Sequence, residues 1–233
     1  NSNELLIKCL NSIKEFNTII VDNGKNEKII SQIDTSKTNI KLISKNENIG
    51  FSKGVNFASE FVRTDYFLIL NADTFITINS IQELYNSCEN NIDCGAAAPI
   101  IDINKDGYDL FPENGKSIKR NEQQSQISKI LHNQKPEGEV CVEVSKLGLL
   151  INKKNFFKIG KFDEKFFMFW EEVDLCKRFR INKFSVIINP KATIVHDARK
   201  SSNNDLKTFL IKTFHLELSP LYYFKIKKNY EFL

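Results

Sequence analysis

No stretch of this chain approaches the roughly twenty consecutive apolar residues that a membrane-crossing helix needs, and no apolar segment of signal-peptide type opens it. Cysteine is scarce and odd in number: Cys9, Cys88, Cys94, Cys141 and Cys176, with no two at the close spacing of a zinc site. That usage points to a reducing compartment. A basic run is also missing. Lys and Arg total 33 against 29 Asp and Glu, and the formal net charge of +4 is dispersed, which leaves no electrostatic footprint for nucleic acid. Histidine occurs only three times. What is present is an ordinary globular composition, 41% hydrophobic and 27% charged, with 19 Phe dominating the aromatics. At 233 residues the chain suits one α/β domain with a full core and a short appended segment.

The first hundred residues alternate two kinds of segment. Leu5, Leu6, Cys9, Leu10 and Ile13 recur at helical spacing, and Thr18-Ile19-Ile20-Val21 is a short apolar run closed by Asp22-Asn23-Gly24. The rhythm predicts a further amphipathic segment near 25–34, a strand near 39–44, a helix near 52–63 and a strand at Tyr66-Phe67-Leu68-Ile69-Leu70. Short strands separated by helices imply a mostly parallel sheet with helices on both faces. Such sheets bind ligands at the carboxyl ends of their strands, so Asp22 and Asn71-Ala72-Asp73 are expected on one rim. Residues 102–139 lack apolar periodicity and read as a long loop excursion with a short helix near 122–132. Beyond it the pattern predicts a strand near 140–151, a helix from Glu171 to about Ile181, strands near 184–188 and 192–195, and an amphipathic helical tail from 205.

Several residues in this frame could do chemistry. Asp73 directly follows a strand, where a rigid element would hold its carboxylate for a hard divalent cation neutralising a diphosphate, or where it simply caps a turn. The loop 48–56, with Gly50 and Gly54, lets backbone approach a ligand at a helix N-terminus, and Lys53 could add a phosphate contact; an ordinary turn and N-cap explains it equally well. In Glu171-Glu172-Val173-Asp174, helical geometry places Glu171, Asp174 and Arg178 on one face and Glu172 toward Leu175, Cys176 and Phe179. Asp174 and Arg178 are spaced for an i,i+4 ion pair. Glu172, against apolar neighbours, is the carboxylate that desolvation could tune into a general base, or it is an acidic first turn complementing the helix dipole. His196 ends a predicted strand, as a metal or phosphate contact or as a structural histidine.

Taken in order, these segments resemble the inverting family-2 glycosyltransferases of the GT-A fold, in particular their rhamnosyltransferase-like branch. The matching residues are Val21-Asp22-Asn23; Asn48, Gly50, Phe51, Gly54 and Asn56; Leu70-Asn71-Ala72-Asp73; Gly160, Phe162, Asp163, Glu164, Phe166 and Phe167; Glu171, Glu172, Asp174, Leu175, Cys176 and Arg178; and His196 with Ser201. The resemblance implies a sugar moved from a nucleotide diphosphate donor to a hydroxyl of a saccharide or lipid-linked acceptor, with inversion, in surface polysaccharide synthesis. Rhamnose is one donor sugar it suggests. It implies that Asp22 contacts the donor base and that Asn48, Gly50, Lys53, Asn56 and Asn71 belong to the nucleotide-sugar site. Asp73 and His196 would hold Mg2+ or Mn2+ on the diphosphate, and Glu172 would take the acceptor proton.

The sequence departs from the family at three places. Asn71 stands where an acid is frequent, and the base position carries Glu rather than Asp, so Glu171, Glu172 and Asp174 all stay in view. The family usually opens with a strand ending in Asn, and the chain starts at what resembles that Asn; the expectation is that this strand is lacking, with poor stability or activity relative to an N-terminally extended chain and a catalytically silent sugar-nucleotide-binding or scaffold subunit as the alternative. The expected organisation is a GT-A domain over 1–204, with 102–139 on the acceptor side, and a helical segment over 205–233. The expected location is cytoplasmic, with a basic-aromatic tail suited to peripheral contact at the inner face of the membrane, or else packed as a helix on the domain or on a second subunit of a homo-oligomer, and no nucleic-acid partner.

Overall fold

A computed structural model describes residues 2–24, 33, 39–45, 47–101, 111–112, 137–145, 147–197 and 206–227. The predicted segment near 25–34, apart from residue 33, the helix near 122–132, most of the excursion 102–139, and Ser201 lie outside these residues. The chain divides into two compact units, each assembled from three stretches: 1–14, 63–160 and 176–201 in the first, and 15–62, 161–175 and 202–233 in the second.

The first unit is built on a seven-stranded sheet. Its strands are β3 (Tyr66–Ile69), β4 (Thr74–Ile76), β5 (Cys94–Ile101), β6 (Phe111–Pro112), β7 (Val140–Val144), β8 (Leu149–Asn152) and β9 (Ser185–His196), in the order β3-β8-β5-β9-β7-β6 with β4 also paired to β9. The mostly parallel sheet expected from the sequence is corrected here to a mixed one. Among the described residues of this sheet only β5 with β9 runs parallel, while β3 with β8, β5 with β8, β4 with β9, β6 with β7 and β7 with β9 are antiparallel. The predicted strand near 140–151 is two strands, broken where Gly148 takes φ +66 and where a Cβ would press to 2.9 Å from Ile194. Conversely, the two strands expected near 184–188 and 192–195 are one. Pro190 interrupts the pairing, so the register skips from Pro99 opposite Asn189 to Ile100 opposite Thr193. Asn189 bridges the irregularity, accepting from Lys191 N at 2.9 Å and donating to Ser87 Oγ at 2.9 Å.

Against this sheet pack α1 (Ser2–Ser12) and α3 (Ile78–Asn90). Thr77 caps α3 by accepting from Ser80 N at 3.1 Å, and Ile81, Leu84 and Cys88, three and four residues apart, turn inward. They join Ile13, Ile76, Cys94, Ala97, Leu150, Ile187 and Ile194 in one core. β5 is almost wholly small or apolar, Cys-Gly-Ala-Ala-Ala-Pro-Ile-Ile, and buried along nearly its whole length. A Cβ on Gly95 would lie 2.5 Å from the Phe179 ring, so the residue must be glycine for that ring to seat. The short helix α4 (Lys153–Lys158) follows β8 and is capped by Asn152, which accepts from Asn155 N at 3.0 Å.

The second unit holds a two-stranded parallel sheet, β1 (Thr18–Asp22) and β2 (Ile40–Ser44), with Asp22 opposite Ser44. It also holds α2 (Phe51–Ser59), the first residues of α5 (Glu171–Ile181), and α6 (Leu206–Lys227). Asp22 and Asp73 therefore follow strands of different sheets, not of one sheet as expected.

Candidate active site

In the first unit, Asp73 sits in the tight turn between β3 and β4. Asn71 O accepts from both Thr74 N (3.1 Å) and Thr74 Oγ1 (2.6 Å), which closes the turn, and β4 then places Thr74 opposite His196 on β9. Asp197 N donates to Asp73 O at 3.0 Å, fixing the two segments together. The result is a buried Asp73 carboxylate whose Oδ2 lies 3.5 Å from His196 Nε2, two residues 123 positions apart in sequence. Cys9 on α1 points at the same turn, with its Sγ 3.7 Å from Asn71 O, and burial followed by the Asp73 charge pushes its thiol up to about 11. A neutral thiol beside Asp73 adds no charge to compete for a cation.

The donor set suits a hard divalent ion held by few protein ligands. One carboxylate oxygen and one imidazole nitrogen are presented together, and among the described residues no group of three or more His, Cys, Asp or Glu could hold a metal. Mg2+ is commonly bound through one or two carboxylates with phosphate oxygens and waters completing the shell. Asp73 fits that pattern, and the His196 imidazole adds a nitrogen donor of the kind transition-metal ions accept.

In the second unit the loop 48–56 is held from both ends. Asn48 Oδ1 accepts from Gly50 N at 3.0 Å, Asn23 Nδ2 donates to Gly50 O at 3.0 Å, and Phe51 N donates to Phe167 O at 2.9 Å. Gly50 has φ +81, and a Cβ there would lie 2.6 Å from Phe167 O, so conformation and space both require glycine. Asp22 is held by Gly24 N on Oδ1 (3.0 Å) and Ser44 Oγ on Oδ2 (3.1 Å). Lys53 is exposed on the first turn of α2. Asn56 is buried, and its amide is taken up internally. It donates to Phe162 O (2.9 Å) and Glu164 Oε1 (3.1 Å) and accepts from Phe162 N (2.9 Å).

The same unit positions the start of α5. Phe169 (φ +65) and Trp170 (φ +70) are consecutive left-handed residues without glycine, a strained entry that the surroundings must hold. The holding comes from α6. Ser219 Oγ donates to Met168 O (2.8 Å), Tyr222 OH donates to Asp163 Oδ2 (2.8 Å), the Phe167 ring stacks on His215 at 4.7 Å, and Trp170 meets Tyr223 at 5.1 Å. The expected burial within the acidic turn is corrected. Glu171, only 5% exposed, is the desolvated carboxyl, whereas Glu172 is half-buried. Burial pushes Glu171 up to about 7, opposed in part by backbone and Glu172 hydrogen bonds, and its Oε2 has no hydrogen-bond partner among the described residues. A tail packed on the domain was one of the expected readings, but its individual ties were not; the signal available was Ser219 and Tyr222 lying three residues apart on one face of the tail.

The sequence model of glycosyl transferase family 2 matches residues 1–189. The chain belongs to glycosyl transferase family 2. Over 109 residues it is 36% identical to the teichoic acid poly(glycerol phosphate) polymerase of Staphylococcus epidermidis, a match covering 43% of this chain and 15% of that protein. Its fold is similar to a crystal structure of GalNAc-T7 with UDP, GalNAc and Mn2+, with a TM-score of 0.63 and 14% identity over 82% of this chain and 41% of the other. The GT-A type of α/β fold expected from the sequence is thus the fold observed. The chain spans well under half the length of either protein.

Proposed function

We propose that this chain transfers a sugar from a nucleotide diphosphate donor to a hydroxyl of a saccharide or lipid-linked acceptor, with inversion at the anomeric carbon. The observation that carries this reading is the buried Asp73 carboxylate beside His196 on a chain of this family. Asp73 and His196 would hold Mg2+ or Mn2+, which supplies positive charge against the departing diphosphate. Asp22, Asn48, Gly50, Lys53 and Asn71 bind the nucleotide sugar. For the loop around Gly50, backbone approach is the means, since a side chain is excluded there. Asn56 serves this site as a positioning residue, because its amide is committed to Phe162 and Glu164.

Glu172 removes the proton from the acceptor hydroxyl as that oxygen attacks the anomeric carbon from the face opposite the nucleotide. One displacement forms the new glycosidic bond, breaks the bond to the diphosphate and inverts the centre. Glu172 is half-buried and so able to meet an acceptor, while the buried Glu171 is suited to hold a proton beside it. The likeness to a teichoic acid poly(glycerol phosphate) polymerase supports a surface polymer as the product, with rhamnose among the donor sugars to be tried.

The test is donor hydrolysis and transfer across a panel of nucleotide sugars with Mn2+ or Mg2+. Glu172→Gln is expected to keep nucleotide binding and lose turnover by about 10²-fold or more. Asp73→Ala is expected to weaken metal-dependent donor binding. Turnover unchanged in Glu172→Gln would move the base elsewhere, and nucleotide binding without turnover in the unaltered chain would favour a silent binding subunit.

A further inference from the structure

The helix α6 carries an apolar surface that its packing does not use. Its inner side is formed by His215, Ser219, Tyr222 and Tyr223, which hold the Asp163 to Trp170 segment. Elsewhere on the same helix nine large apolar side chains are exposed, including Leu206 at 73%, Leu221 at 67% and Phe214 at 60%. An apolar face of this size on one element is uncommon and marks a surface that meets a partner or a membrane.

Angular spread, charge and one carboxylate decide between the occupants. At roughly 100° per residue, the exposed apolar positions from Phe224 round to Ile211 span an arc of roughly 140°, with Phe209 and Leu216 outside it, beyond the buried Tyr223. A partner helix, such as α6 of a second copy, covers a stripe of roughly 100°, which is narrower than this arc, whereas an amphipathic helix lying in a membrane interface buries its whole apolar face. Over the described side chains α6 carries Lys207, Lys212 and Lys225 against Glu217 alone. That balance repels a second copy and attracts an anionic surface. Glu217 lies inside the apolar arc, flanked by Leu210, Leu221 and Phe224. Sealed against a twin helix, its carboxylate would be stripped of water, but at headgroup depth it stays hydrated, as do the lysines.

We infer that the outer face of α6 is a docking surface for an anionic glycerophospholipid bilayer and lies along that bilayer. No described helix is long and apolar enough to cross one. The inference stands on α6 itself and does not depend on the sugar-transfer reading. It is tested by flotation of the full chain with vesicles of phosphatidylglycerol mixed with phosphatidylcholine, and with phosphatidylcholine alone.

The chain should float with the mixed vesicles, less with the neutral ones, and less again at high salt. The combined variant Leu210→Gln, Phe214→Gln and Leu221→Gln changes only exposed positions and should lower partitioning on the order of a hundredfold, with circular dichroism unchanged. Lys207→Gln with Lys225→Gln should remove most of the anionic preference, roughly fivefold for each lysine. Failure of the unaltered chain to float with anionic vesicles overturns the inference, as does undiminished flotation of the apolar variant. A concentration-dependent dimer that the apolar variant abolishes, without vesicle binding by the unaltered chain, assigns the face to a second copy instead.

Discussion

Replacing Asn56 by alanine should cost far more than the loss of one exposed amide, because the residue closes a contact between chain positions 106 apart. Asn56 is 3% exposed and Phe162 2%, so truncation leaves the Phe162 N–H and C=O buried without the partners they have at 2.9 Å. Each orphaned buried group costs about 1–3 kcal/mol, and the bond to the exposed Glu164 adds little, giving about 2–6 kcal/mol in all. With a urea slope of about 3 kcal/mol/M, the unfolding midpoint should fall by roughly 0.7–2 M. Trp170, the only tryptophan of the chain, lies in the segment that Phe162 leads into and reports the transition by fluorescence. Asn56→Asp separates donor from acceptor function. Its carboxylate still accepts from Phe162 N but faces Phe162 O and Glu164 Oε1 with nothing to donate, so at neutral pH it should be at least as unstable as the alanine variant. Acidification, which restores an O–H donor, should recover part of the loss. A stability for Asn56→Ala within about 0.5 kcal/mol of the unaltered chain, or an aspartate variant indifferent to pH, would refute the argument.

Gly50→Ala should destabilise by about 2–4 kcal/mol, because the left-handed conformation and a 2.6 Å approach to a backbone oxygen cannot both be relieved by a side-chain shift; thermal melting measures it. For Glu171, the folded carboxyl is raised from 4.5 to about 7, so between those values the folded state binds more protons than the unfolded one. Stability should therefore fall as pH rises through that window and level off above it, and Glu171→Gln should remove most of the fall in urea titrations across pH. The Glu172→Gln and Asp73→Ala pair should separate turnover from metal-dependent donor binding, read by product formation and by nucleotide titration with and without Mn2+.

Local signals in the sequence were sufficient where one element carries its own evidence. The helix from Glu171 to Ile181 has acids in its first turn and Arg178 and Arg180 in its last, and its bounds emerge as expected. Asp73 and His196 are each recognisable as residues at the end of a strand, although only the pairing of β4 with β9 makes them neighbours. Strand direction was hidden for the complementary reason. Nothing within Cys94–Ile101 records that it runs parallel to β9 and antiparallel to β8, since that choice rests on registers with residues tens of positions away. The acidic turn shows the same limit at single-residue scale. A helical wheel says that Glu171 and Asp174 share a face and that Glu172 does not, but not which face the fold closes over. Phe169 and Trp170, held left-handed and braced by Tyr223, set the direction in which α5 starts. Burial then falls on Glu171, and Glu172 is left half-buried.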